Sequence, residues 1–82
     1  MADFTELLEI VAQMSEDEEI PKRVRESVKE IKNILEAQDE EEDIKINNCL
    51  ELIEDFGSGS EINSYTRAKI WSLVSKLEEF NQ

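Results

Sequence analysis

Residues 19–36 read EIPKRVRESVKEIKNILE, and residues 61–78, beginning 42 positions later, read EINSYTRAKIWSLVSKLE. In the first stretch Val24, Val28, Ile31 and Leu35 return at three- and four-residue steps, and in the second Ile70, Leu73 and Leu77 do the same. That spacing puts each set on one stripe of a helix. Pro21 suits the first turn of the first helix, where its fixed φ and missing N–H cost nothing, and that helix should fade near Ala37. Asn63 or Ser64 can cap the second.

The two stretches share more than apolar spacing. Glu19 and Ile20 match Glu61 and Ile62, and Arg25 matches Arg67. Amphipathicity explains none of these three, so the match predicts an internal duplication. Followed outward, it runs without a gap from Phe4/Ile46 through Leu8/Leu50, Val11/Ile53 and Met14/Phe56 to Leu35/Leu77 and Glu36/Glu78. Phe4, Leu7, Leu8, Val11 and Met14 then mark a helix over about 3–15, and Ile46, Cys49, Leu50, Ile53 and Phe56 mark its counterpart. Gly57 is placed to end that third helix in a left-handed conformation, and GSGS at 57–60 reads as a flexible turn.

These patterns predict an all-α fold: a four-helix bundle of two antiparallel helical hairpins with an internal repeat of about 42 residues. One domain spans 1–82, with repeat unit one at 3–37, an acidic linker at 38–43 and repeat unit two at 44–80. A helix pair of this period falls in the range of roughly 40 to 47 residues of HEAT and armadillo repeats. The acid before each second helix and the Arg in its first turn resemble the HEAT signature. Two units are too few for a solenoid, because each pair needs a neighbour to cover its apolar face, so closure into one bundle is expected.

Ile20-Pro21-x-x-Val24-Arg25, Thr66-Arg67-x-x-Ile70-Trp71 and the closing Leu77-Glu78 resemble a small archaeal family known as uncharacterised protein family 0147, over nearly the whole chain. The resemblance implies an archaeal source and an all-helical four-helix fold, and it implies no activity. Asn63 stands where the resemblance would place a proline.

Composition narrows the function. An 82-residue domain buries only roughly 60–65% of the surface of its unfolded chain, which leaves little room for a deep pocket. The net charge of −12 repels polyanions, so nucleic acid and anionic membrane are poor partners for the molecule as a whole. No apolar run approaches the roughly 18 residues of a membrane span, and the acidic N-terminus lacks the basic region of a signal peptide, so a cytoplasmic location is expected. The lone Cys49 sits in an apolar stripe and reads as a small buried group in a reducing compartment.

The chain contains no His, which removes the commonest general base and transition-metal ligand together. Cys49 has no imidazole to activate it, and burial would raise its pKa. The acids lie on outward positions, where nothing sets one carboxyl against another. No enzyme activity, no catalytic residue and no cofactor are expected. Asp39-x-Glu41-x-Asp43 begins like a calcium loop, but Ile44 stands where that loop needs Gly and Leu50 where it needs a bidentate Glu. No specific metal is expected, and 39–43 reads as a solvated connection whose charge favours the start of the following helix. Asp55-Phe56-Gly57 spells a kinase tripeptide without a kinase's other parts and reads as a helix end with a buried Phe.

Trp71 and Val74 fall opposite Lys29 and Lys32 in the repeat, at outward positions. They widen the apolar face of the fourth helix, and two readings fit: a wider core seam, or an exposed aromatic anchor for a protein partner or a second copy. The function expected is a non-enzymatic protein–protein interaction module or small homo-oligomer, with Tyr65, Trp71 and Val74 as the candidate interface. The acidic linker would guide basic partners toward it. The alternative is a nucleic-acid-associated factor using a basic patch of Lys22, Arg23, Lys29 and Lys32 on the second helix. Against that alternative, Glu26 and Glu30 interrupt the patch and no aromatic stands near to stack on bases. Glu19 with Arg25, and Glu61 with Arg67, read as a structural pair that repeats. Three basic residues at a helix start oppose the macrodipole, and the acids at 16–19 supply counter-charge.

Overall fold

The computed structural model describes residues 4–57 and 62–80. They form four α-helices, α1 (Thr5–Glu16), α2 (Lys22–Glu36), α3 (Glu42–Gly57) and α4 (Ser64–Glu79), with no strand among them. Each helix packs on its neighbours in chain order, and α4 returns to α1 to close the ring. Short connections make successive helices antiparallel. The Lys76–Glu6 pair joins the end of α4 to the start of α1, while Tyr65 at the start of α4 reaches Asp17 just beyond α1. The result is an up-down-up-down four-helix bundle.

The stripes read from the sequence meet on the bundle axis. Leu7/Cys49, Val11/Ile53, Met14/Phe56, Ile20/Ile62, Val28/Ile70, Ile31/Leu73 and Leu35/Leu77 are all buried, so burial runs in phase at an offset of 42. Ile20 and Ile62 lie in connections rather than helices, and each plugs the same end of the core from the loop. At the opposite end Phe4 meets Phe80 edge to face, with ring centroids 5.2 Å apart, and Lys45 stands 5.8 Å over the Phe4 ring. The Lys45 ammonium also donates to the Leu35 carbonyl at 3.3 Å, satisfying one of the carbonyls that the end of α2 leaves without an intrahelical partner.

Several local expectations are corrected. Gly57 is the last residue of α3 and its φ is not positive, so it does not end the helix in a left-handed conformation. A Cβ there would meet Ile53 and Ile70 at 3.7 and 4.0 Å, ordinary contacts, so nothing steric forces the helix to stop at that point. The turn predicted at 57–60 otherwise lies outside the described residues. Pro21 is the N-cap of α2, with extended ψ of 143°, rather than its first-turn residue. The acidic linker is shorter than 38–43, because Glu42 and Asp43 already belong to the first turn of α3, where negative charge meets the positive end of the macrodipole. Asn63 caps α4 through its side-chain oxygen, which accepts from the Thr66 N–H at 2.8 Å, so this position holds the helix start without a proline.

Candidate functional site

The fourth helix carries the candidate interface, and its geometry divides that interface in two. At 100° per residue, Tyr65, Lys69, Ser72 and Lys76 fall on the flank beside α1, while Arg67, Trp71, Val74 and Glu78 fall on the flank toward α3. Trp71 and Val74 share one flank, whereas Tyr65 lies on the other.

The α1–α4 flank is a groove of about 490 Å³ lined by Ile10, Gln13, Met14, Asp17, Tyr65, Lys69, Ser72 and Lys76. Asp17, Tyr65, Lys69 and Lys76 are each engaged. The Tyr65 hydroxyl donates to the Asp17 carboxylate, and the other Asp17 oxygen accepts the Glu19 N–H at 2.9 Å. Lys69 stands 5.5 Å over the Tyr65 ring. Lys76 pairs with Glu6 at 3.2 Å and with Glu79 at 3.7 Å, and these pairs hold its ammonium pKa above the ordinary value. Tyr65 is thus tied to the loop between α1 and α2 rather than free to anchor a partner.

In the sequence Asp17 is one acid of a run, with nothing to set it apart. The Tyr65 hydroxyl, then the Glu19 N–H, and more weakly Lys69 and Arg25, hold its carboxyl below the ordinary 3.8. The same bond raises Tyr65 above the ordinary 10.0. Each shift gives a sign. The depressed Asp17 contributes stability above its unfolded pKa and loses it as pH falls through the folded one; the raised Tyr65 contributes below pH 10.0 and loses it as pH rises through its folded value. The chain has a single Tyr, so ultraviolet titration of tyrosinate reads it directly. Tyr65 is expected to ionise above 10.0 in the folded protein and closer to the ordinary value in Asp17→Ala. Ordinary ionisation in the wild type would show that the bond does not form.

The α3–α4 flank is a groove of about 550 Å³ lined by Ile53, Glu54, Gly57, Arg67, Ile70, Trp71 and Val74. Ile53 and Ile70 form its apolar floor and Val74 its half-buried wall. Trp71 is 63% exposed, so it is not part of the core seam.

The basic patch also divides. Lys22, Lys29 and Lys32 lie within about 80° of one another around α2, and Arg23 turns about 100° away from Lys22. All four are exposed. The repeat pair is not symmetric either: Arg25 is half-buried near Asp17, with its Nε buried and lacking a hydrogen-bond partner, whereas Arg67 is exposed on the α3–α4 groove. Glu19 is exposed and gives only its N–H to Asp17, and Glu61 lies outside the described residues. Burial pushes the Cys49 thiol up to about 11, so it stays protonated at neutral pH. Among the described residues no three Cys, Asp or Glu side chains converge to hold a metal, and no helix is long and apolar enough to cross a membrane.

Comparison with known proteins agrees with this fold. The family model described as Uncharacterised protein family (UPF0147) matches residues 1–80. The chain belongs to UPF0147. Among UPF0147 proteins, that of Archaeoglobus fulgidus is 30% identical over 76 residues, covering 93% of this chain and 86% of the relative. That of Methanosarcina mazei is 30% identical over 71 residues, covering 87% and 76%. The UPF0147 protein of Methanothermobacter thermautotrophicus is 23% identical over 79 residues, covering 96% and 78%. A solved crystal structure, of the unknown function protein MMP1188, superposes with a TM-score of 0.85 at 23% identity, over 92% of this chain and 85% of that one, and so shares the fold. These UPF0147 relatives are archaeal, as the sequence resemblance implies.

Proposed function

We propose that this UPF0147 protein acts in the cytoplasm by protein–protein contact rather than by catalysis, through the α3-facing flank of α4 around Trp71 and Val74. The observation that carries the reading is the exposed indole of Trp71, 63% accessible beside a groove floored by Ile53 and Ile70. An aromatic ring next to apolar floor residues has the composition of an interface core, where Trp is enriched and charge is depleted. The surroundings sharpen the contrast, because 37% of the chain is charged and the matching positions on α2 carry Lys29 and Lys32. Absence of catalysis is supported by the lack of any His and by the protonated, buried Cys49. The in-phase burial at an offset of 42 supports a duplication in which α4 took on contact and α2 kept a charged face.

A photoactivatable amino acid placed at position 71, with one at position 29 as control, tests the reading in native cells. The expected result is a discrete adduct from position 71, of this chain or of a protein identified by mass spectrometry, and none from position 29. No adduct at 71, or equal labelling at both, would overturn it.

A further inference from the structure

The stripe on the α3-facing flank of α4 is Arg67, Trp71, Val74 and Glu78, Val74 half-buried and the other three exposed, at intervals of four, three and four residues. Those intervals read the same in both directions, and they are the a/d intervals along which two helices pack. Its ends carry opposite charges and its centre is apolar. We propose that this stripe is the contact for a second copy of the same chain, the two α4 helices crossing antiparallel about a two-fold axis between Trp71 and Val74. The proposal rests on the contact reading above and names its partner.

A two-fold contact requires that residue i meet j and that j meet i. Laid antiparallel, the stripe satisfies this throughout. Trp71 covers Val74 of the second copy and receives its Trp71 on Val74, while Arg67 meets Glu78 of the second copy at both ends. A parallel arrangement would instead set Arg67 on Arg67 and Glu78 on Glu78. The four residues span roughly 16 Å of helix, so the charged pairs flank the aromatic centre as a rim. Arg67 and Glu78 are exposed, and neither side chain has an ion pair with another described residue. On the solvent side of the stripe Ser64, Ala68 and Ser75 stand where α2 carries Lys22, Glu26 and Asn33, so beside Trp71 that side is small and uncharged and a second helix can approach closely, with Glu79 the one charge at its far end.

The net charge of −12 on each copy opposes association at long range. At about 0.15 M salt the Debye length is about 8 Å, which screens that repulsion while leaving pairs in contact. The face of one helix is small for a stable complex, so the dimer should form in the micromolar range.

Sedimentation equilibrium from micromolar to millimolar protein, with Trp71 fluorescence as a second readout, tests this. The wild type should dimerise, and its single Trp should shift its emission to the blue as it does so. Trp71→Ala should raise the dissociation constant about thirtyfold or more. Arg67→Glu and Glu78→Arg, each creating two like-charge pairs per dimer, should also weaken it strongly, with circular dichroism showing that these surface variants remain folded. The double variant Arg67→Glu/Glu78→Arg should return the dissociation constant close to the wild-type value, an outcome that a merely structural role for either residue does not produce. A wild type that stays monomeric throughout, or a double variant no better than the singles, would overturn the two-fold contact. If position 71 still labels another protein in cells, the contact reading survives that result; if it labels nothing, both fall.

Discussion

Leu73→Ala is expected to destabilise the protein by about 2–5 kcal/mol, while Trp71→Ala, two positions away on the same helix, should change stability by no more than about 0.5 kcal/mol in the dilute monomer. Leu73 is fully buried on the bundle axis, where its twin in register is the equally buried Ile31, and removing its isobutyl group leaves a cavity that four packed helices cannot close. Trp71 is the larger side chain but is mostly in water, so truncating it exposes little that was hidden. An 82-residue domain has a total stability of roughly 4–12 kcal/mol, so the Leu73 loss is a large fraction of it. In a domain of this size that means a fall in melting temperature of roughly 10 °C or more. Paired thermal melts decide the matter. Equal losses at the two positions would mean that Trp71 is a core residue, since truncating a core Trp costs about 3–5 kcal/mol, and the interface would lose its anchor.

The contrast between those two residues also shows what the sequence made legible. Leu73 is one of three apolar positions, with Ile70 and Leu77, at three- and four-residue steps, and only the bundle axis can satisfy such a stripe. Hence the helices and the core follow from periodicity. Trp71 lies at the edge of the same face, where a wider seam and an exposed ring have the same spacing. Only packing separates them: Ile70 and Val74 already close the α3–α4 seam, which leaves the indole outside. By sequence Tyr65 groups with Trp71, because both are aromatic and share a helix. Its partner, Asp17, is 48 residues away in a loop, and no local pattern encodes that distance.

Helix ends were read by composition and were less legible. The acids at 42–43 read as linker because five like charges look solvated, yet the first turn of a helix is where negative charge is favoured. Gly57 reads as a left-handed stop because it opens a Gly-Ser run, and it is indeed the last residue of α3, but its φ is not positive, so the left-handed cap is absent. Asn63 was legible because a cap is a local device: its side chain reaches an N–H three residues on, and that distance is fixed by the backbone.

The largest gain in stability is expected at Thr66. It is the one polar or charged residue fully buried among those described, and its hydroxyl has no hydrogen-bond partner. In the unfolded chain that hydroxyl bonds to water, and in the fold it gives this up for nothing, at a cost of about 1–3 kcal/mol. The position itself has no need of oxygen. Val24, 42 residues earlier, fills the matching place on α2 and is buried there, which shows that a β-branched apolar side chain of this shape packs at the equivalent point of the bundle. The Thr66 N–H is already satisfied by Asn63, and that bond depends on the backbone rather than on the side chain at 66. Thr66→Val should therefore stabilise the fold by about 1 kcal/mol or more, raising the melting temperature by roughly 4–8 °C, and the reciprocal Val24→Thr should lower it by a similar amount. Urea melts with unchanged slopes would assign the shift to the native state. If Thr66→Val lowers stability instead, the hydroxyl has a partner in solution, and a water held between α4 and the core is then the physical account of a polar residue at that depth.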